Sequence, residues 1–210
     1  METGVGKSRF PVVQPHVALL RPLIPNPNPG PSMTYSHFTD YPADILERAA
    51  KIRLACFDVD GTLTDGRLVF DDAGRELKAF HIHDGQGLTL LRKVGIAVAF
   101  VTARPGAIAE RRAAELGAVA HANVKDKLGC VRDIAARQGI GLDAVAFMGD
   151  DLADLTILRA CGLAVAPANA HPWIRERVHW RTNLGGGKGA ARELCDLLLA
   201  AQGHAEALLA

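Results

Sequence analysis

From Ile52 onward, apolar residues gather in short uninterrupted runs, with polar residues at helical spacing between them. IRLACFDVD (52–60), GIAVAFVTA (95–103) and AVAFMGD (144–150) are three such runs, and AVAHA (118–122) and GLAVAPA (162–168) are weaker ones. Near-continuous apolar runs fit strands covered on both faces, as in a parallel sheet. The intervening segments read as helices. DILERAAKI is short and amphipathic, GQGLTLLRKV precedes the second run, and VKDKLGCVRDIAARQG repeats apolar residues at three and four. PGAIAERRAAELG opens on proline and stops at glycine, as helices often do. DLADLTILRAC and GGKGAARELCDLLLAAQG complete the series. The alternation predicts an α/β fold: a doubly wound, Rossmann-like parallel sheet flanked by helices.

One segment breaks the alternation. RLVFDDAGRELKAFHIHDG (67–85) has two stretches of strand formers around Asp71, Asp72, Ala73 and Gly74, which predicts a β-hairpin over 67–83 with glycine at a left-handed position. About forty residues separate Asp60 from Thr102. That is room for a hairpin and a helix but not for a separate cap domain.

The first 40 residues differ in kind. FPVVQPHVALLRPLIPNPNPGPS holds seven of the eleven prolines, which remove donors and block helix, so this stretch is expected to be a disordered or extended tail. It lacks the uninterrupted apolar stretch of a signal peptide, and Met33 follows it as an alternative start. The expected organisation is a tail over 1–40, one domain over 41–203 and a short C-terminal tail over 204–210.

Composition narrows the function classes. Hydrophobic residues are 49%, charged residues 22% and the net charge is +1, with no basic stripe for nucleic acid and no run approaching a membrane span. Cys56, Cys130, Cys161 and Cys195 are scattered, which predicts reduced, packed thiols in a cytoplasmic protein rather than disulfides or zinc ligands. Aromatics are only 5%, so the core is expected to be aliphatic.

The chemistry gathers where the runs end. Ligands of an open parallel sheet bind beyond the carboxyl ends of its strands. Those ends here carry Asp58 and Asp60, Thr102, and Asp150 with Asp151. Clustered carboxylates call for a hard divalent cation, Mg²⁺, with Asp58 and Asp150 as ligands and the Asp60 carbonyl assisting; such a cation takes substrate phosphate as a further ligand. Residues two apart in an extended chain share a face, so Asp58 and Asp60 can address one phosphorus. Asp58 is then the candidate nucleophile and Asp60 the candidate acid and base. Thr102 and Lys127 are placed to hold the phosphoryl group. Asp65 reads as a turn residue, Asp151 as a cap or supporting carboxylate, and Asp154 as structural or supporting rather than a ligand.

These residues resemble the four motifs of the haloacid dehalogenase superfamily: Asp58-Val-Asp60-Gly61-Thr62, Thr102, Lys127, and Gly149-Asp150-Asp151. Lys127 is preferred over its neighbour Lys125 on that match alone. From about residue 52 to 203 the chain further resembles the 3-deoxy-D-manno-octulosonate (Kdo) 8-phosphate phosphatases of lipopolysaccharide synthesis, through DGRLVF, GRELKAFHIHDGQG, GDDLADL, AHPWIRERV and GGKGAARELCDLLLAAQG. That resemblance implies a Mg²⁺-dependent phosphatase and a homotetramer whose hairpins meet centrally and whose neighbouring subunits complete each site. It implies that His81, His83, Asp84 and Gly85 touch the sugar, that Arg104 and Arg112 hold its carboxylate or phosphate, and that the C-terminal segment closes over a site. His83 stands where that family usually has arginine, and Ala103 where it usually has glycine. His83 leaves open a phosphatase for a nine-carbon nonulosonate 9-phosphate. A non-catalytic oligomerising domain and a phosphotransferase are the other readings.

Overall fold

A computed structural model describes residues 41–209. The proline-rich segment 1–40, with Met33, lies outside the described residues.

Six parallel strands form the sheet in the order β5-β4-β1-β6-β7-β8. They are β1 (Leu54–Phe57), β4 (Ala97–Val101), β5 (Val119–His121), β6 (Val145–Met148), β7 (Leu163–Ala166) and β8 (Trp180–Arg181). Every residue of β1, β6 and β7 is buried, as continuous apolar runs require of a sheet covered twice. Side chains alternate between two cores. Ala55 and Phe57 join one with helices α1 (Ala43–Ala49), α2 (Ile82–Lys93), α3 (Ala107–Glu115) and α7 (Ala190–Ala201). Leu54 and Cys56 join the other with α4 (Lys127–Arg137), α5 (Leu155–Leu158) and α6 (Pro172–Arg175). The core is not purely aliphatic. Phe57, Phe100 and Phe147 are among its largest fully buried side chains, so the few aromatics are spent at the centre of the sheet.

The chain runs outward from β1 through β4 to β5, then returns to lay β6 against the other side of β1. Its crossovers change faces at that return. The carboxyl ends of β1 and β6 therefore flank the crevice where doubly wound sheets bind ligands.

The hairpin is shorter than its sequence span. Its strands, β2 (Val69–Phe70) and β3 (Glu76–Leu77), pair antiparallel over two residues each. Gly74 takes φ +76° in the turn, and the Asp71 carboxylate accepts from the amides of Ala73 and Arg75. The hairpin's exit is already helix: α2 begins at Ile82, so His83, Asp84 and Gly85 form its first turn rather than a loop. Two further elements carry too little pattern to read locally, the two-residue β8 and the four-residue α6. The C-terminal tail from 204 contains a last helix, α8 (Ala205–Leu209). Among the described residues no helix is long and apolar enough to cross a membrane.

Candidate active site

β1 delivers the first carboxylate. The Asp58 amide still donates to Met148 in β6 at 2.9 Å, so the ladder holds the residue as the strand ends. The chain then winds through one wide turn over Val59–Leu63, closed by the Thr64 amide on the Val59 carbonyl at 2.9 Å. Gly61 adopts φ +92° there, and a Cβ on it would lie 2.1 Å from the Asp150 carboxylate. Only glycine lets the turn pass that close to the end of β6.

Asp58, Asp150 and Asp154 each bring a carboxylate oxygen within 4.8 Å of the other two. Lys127, at the start of α4 and 3% exposed, donates to Asp58 at 2.7 Å and to Asp154 at 2.5 Å. The Thr62 hydroxyl donates to Asp150 at 3.3 Å. Lys127 therefore makes the contact that Lys125 does not. Asp154 is more central than its sequence position indicates. It is 1% exposed, accepts from the amides of Asp150 and Asp151 at 3.0 and 3.3 Å, and fixes the lysine. Its signal in the sequence is a spacing of four from Asp150. Asp151 caps the turn that carries Asp154, and Asp65 accepts from the Arg67 amide in its loop.

Burial, reinforced by Asp154, pushes the Asp58 carboxyl up, and Lys127 only partly opposes this. Burial, followed by the charges of Asp58 and Asp154, pushes Asp150 up to about 8. Burial alone would lower the Lys127 ammonium, but Asp154 and Asp58 outweigh it and hold it above its ordinary value. Fully ionised, as a bound cation requires, three carboxylates against one ammonium leave two negative charges in excess. A divalent cation supplies that balance, and the oxygen-only donor set suits magnesium.

A second cluster lies on the rim. Lys78, from the hairpin exit, pairs with Asp60 and, at 3.0 Å, with Glu76. Arg104 reaches Glu76 at 3.0 Å and stands 4.0 Å from Asp60. Two cations meet two anions, so this group is neutral by itself. Lys78 and Glu76 carry no local sign of this role; a glutamate on a two-residue strand and a lysine just after it read as solvated surface. The Asp60 side chain thus stands with the rim lysine rather than with the carboxylates of the inner cluster, which agrees with a metal contact through its carbonyl. Thr102 is buried at the end of β4, and its hydroxyl accepts from the Arg104 amide at 3.2 Å.

The remaining expected contacts lie apart from this centre. Arg112 covers the Phe80 ring at 5.7 Å and pairs with Glu115 at 2.9 Å, against Gly85. The His81 and His83 rings meet edge to face at 5.0 Å and line a separate cavity of about 700 Å³ with Trp180, Arg181 and Lys188. Asp84 is buried and accepts from the Arg192 amide at 2.8 Å, tying α2 to α7.

The raised carboxylates set a pH dependence. Without metal, the folded chain holds protons that the unfolded chain has already released between the ordinary carboxylate range and about 8. Stability of the metal-free protein therefore falls as pH rises through that window. Mg²⁺ binds the deprotonated form, so its thermal stabilisation is expected to be larger near pH 8 than near pH 5. Melting curves with and without Mg²⁺ at both pH values check this; equal shifts would contradict it.

Residues 119–194 match the family model of haloacid dehalogenase-like hydrolases. A 3-deoxy-D-manno-octulosonate 8-phosphate phosphatase of Escherichia coli K12 is 41% identical over 162 residues, 77% of this chain and 86% of its own length. A crystal structure of a hypothetical Xanthomonas campestris protein superposes with a TM-score of 0.82 at 56% identity, covering 84% of this chain and 97% of that one. The 3-deoxy-D-manno-octulosonate 8-phosphate phosphatase of Moraxella catarrhalis, solved with magnesium, phosphate and KDO, has a TM-score of 0.78 at 37% identity, covering 80% and 98%.

Proposed function

Since the chain belongs to the 3-deoxy-D-manno-octulosonate 8-phosphate phosphatase family of haloacid dehalogenase-like hydrolases, we propose that Asp58 and its neighbours hydrolyse Kdo 8-phosphate to Kdo and phosphate. The observation that carries this reading is the cluster of Asp58, Asp150, Asp154 and Lys127 in the β1–β6 crevice, short of two positive charges.

Asp58, Asp150 and the Asp60 carbonyl would hold Mg²⁺, which when bound neutralises the carboxylates and the phosphate oxygens. Lys127 fixes the Asp58 carboxylate through Oδ1. Asp58 attacks phosphorus, forming the aspartyl-phosphate as the bond to the sugar oxygen breaks. Asp60, which takes up a proton on leaving Lys78, gives that proton to the sugar oxygen. Asp60 then takes a proton from water, whose oxygen attacks phosphorus, breaking the bond to Asp58 and releasing phosphate. Thr102 and Lys127 hold the phosphoryl oxygens through both steps. Asp60 enters the cycle by leaving Lys78, whose other partner is Glu76. Arg104 and Arg112 hold the sugar acid's charged ends, and residues 81–85 contact the sugar.

We read the assembly as a homotetramer in which residues 81–85 serve a neighbour's site. The support is the hairpin's apolar surface: Val69, Phe70 and Leu77 are about half exposed and Ile82 is 73% exposed. A monomeric mass by light scattering would overturn it. Four free cysteines support the cytoplasm as its compartment; fractionation of the source cells tests this, and a periplasmic protein would contradict it.

Phosphate release from Kdo 8-phosphate and from a nine-carbon nonulosonate 9-phosphate tests the substrate. The specificity constant is expected to be at least about tenfold higher for Kdo 8-phosphate. Chelation of Mg²⁺ is expected to remove at least about 99% of the rate. A higher specificity constant for the nine-carbon sugar would overturn the assignment, and recovery of phosphate on an alcohol would indicate phosphotransfer.

A further inference from the structure

The reacting loop is clamped from outside by a segment that does not touch the carboxylate cluster. This strap, residues 183–189, leads from β8 into α7, and each end is anchored. The amides of Asn183 and Leu184 donate to the Glu193 carboxylate at 2.8 and 2.9 Å. The Leu184 carbonyl accepts from the Ala168 amide at 3.0 Å and the Thr182 hydroxyl at 2.7 Å. On the other side, α7 is held through the Arg192 amide on Asp84 at 2.8 Å.

Between these anchors the strap lies against the loop, backbone on backbone. The Gly187 amide donates to the Thr62 carbonyl at 3.1 Å. A Cβ on Gly186 would lie 1.9 Å from the Gly61 oxygen and 2.8 Å from that of Thr64. Gly187 has φ +62°, and a Cβ there would lie 2.6 Å from the Asp65 amide nitrogen. No other residue type permits this approach.

Asn169 joins strap to loop. Its Oδ1 accepts from the Gly186 amide at 2.6 Å, and its Nδ2 donates to the Gly61 carbonyl at 3.4 Å. The Gly61 carbonyl belongs to the peptide between two working residues. Asp60 precedes it, and Thr62, which donates to Asp150, follows it. That peptide lies on a glycine with φ +92°, the most rotatable point of the loop. Without a partner for the carbonyl, the Gly61–Thr62 peptide loses one of the few contacts that set its orientation, beside the Gly61 amide on Thr64 and the Gly187 amide on Thr62.

We propose that Asn169, backed by Gly186 and Gly187, is a positioning residue that fixes the Gly61 peptide and thereby the relative placement of Asp60 and Asp150. It touches no reacting atom. The proposal rests on the reading of Asp60 as acid and base, and it goes beyond it by assigning the C-terminal glycines a role within their own subunit's site.

The test compares Asn169→Asp, Asn169→Ala and Gly186→Ala with the wild type on Kdo 8-phosphate at saturating Mg²⁺, with melting points measured alongside. Asn169→Asp keeps the shape and the acceptor for Gly186 but replaces the donor to Gly61 with a charged oxygen, and Asn169→Ala removes the donor without adding charge. Both Asn169 variants are expected to lose about tenfold to a hundredfold in kcat, with KM within about threefold. Gly186→Ala is expected to lose about a hundredfold or more as its methyl displaces the loop. Melting points should stay within about 5 °C of the wild type for both Asn169 variants. Asn169 variants with at least half the wild-type kcat would overturn the proposal. So would a loss confined to KM, or a kcat loss accompanied by a melting point more than about 10 °C lower, the mark of a merely structural brace. An inactive wild type would count against the substrate assignment instead, so the two failures are distinguishable.

Discussion

Asp58→Asn should reduce kcat by at least about 10⁴-fold while leaving the protein folded, a loss of roughly 5–6 kcal/mol of transition-state stabilisation. The amide has nearly the volume of the carboxylate and keeps an oxygen for Lys127, so the packing at the end of β1 has no reason to change. It has no charge with which to attack phosphorus. The same substitution removes one of three crowded carboxylates, whose mutual repulsion and burial push Asp58 and Asp150 up. The metal-free variant should therefore melt at the same temperature as the wild type or above it near neutral pH. Steady-state phosphate release and a melting curve on one preparation check both halves. Retention of more than a few per cent of the rate would remove Asp58 as nucleophile, and an acid-quench assay for a phosphorylated aspartate would show whether another residue takes the phosphoryl group.

Lys127→Met should cost about 3–5 kcal/mol of stability in the metal-free protein, because it leaves three buried carboxylates without their one internal counter-charge. For a domain of this size that is a fall of roughly 6–20 °C in melting temperature. Methionine fills most of the lysine stem's volume, so the loss reports charge rather than a cavity. Mg²⁺ should restore part of the stability, since it supplies the missing positive charge, but should not restore activity. In the proposed mechanism Lys127 also orients the Asp58 carboxylate and holds the phosphoryl oxygens, so kcat should remain down by about 10²–10³-fold at saturating Mg²⁺. Melting curves with chelator and with Mg²⁺, set beside kcat, separate the two roles. A metal-free melting point equal to the wild type's would mean that the carboxylates are neutralised by protons alone.

Both variants alter one of two electrostatic groups in the site, Asp58→Asn by removing a negative charge and Lys127→Met by removing the positive one. The inner one, Asp58, Asp150, Asp154 and Lys127, is unbalanced and buried. The rim group, Asp60, Glu76, Lys78 and Arg104, balances itself. Substrate enters against a rim that needs nothing and a centre that needs positive charge. In the proposed mechanism the cation would accordingly be held by the Asp58 and Asp150 carboxylates, with only the carbonyl of Asp60 assisting.

Much of this was legible in the residue order. Runs of apolar residues long enough for strands and too short for buried helices place β1, β4, β5, β6 and β7. A parallel sheet covered on both faces follows, and so does the position of Asp58, Asp60, Thr102 and Asp150 at its carboxyl rim. The Asp71 to Gly74 turn was legible because a turn's chemistry is local: one side chain accepts amides two and four residues on, and one glycine takes a positive φ. The motifs at the strand ends, carried by resemblance, brought Lys127 into the same list.

The working contacts, by contrast, join partners far apart along the chain. Lys127 meets Asp58 across 69 residues and Asp154 across 27. Asn169 meets Gly61 across 108. No periodicity records such pairs, because a helix or strand pattern states which face is buried and not what that face meets. Lys78 illustrates the limit. Just beyond the two-residue strand β3 it has the pattern of a surface lysine, yet its side chain is 4% exposed and paired with Asp60. Gly186 and Gly187 illustrate the converse: the pattern runs them into the last helix, but α7 starts only at Ala190, and the two glycines are required by backbone passing within van der Waals distance of backbone. The sheet, its covered faces and the acidic rim are written in the order of residues, because they follow from local pattern and burial. The contacts that turn the rim into a reacting centre were decided by the return of β6 to the side of β1 and by the strap laid over Gly61, which follow from packing between segments remote in sequence.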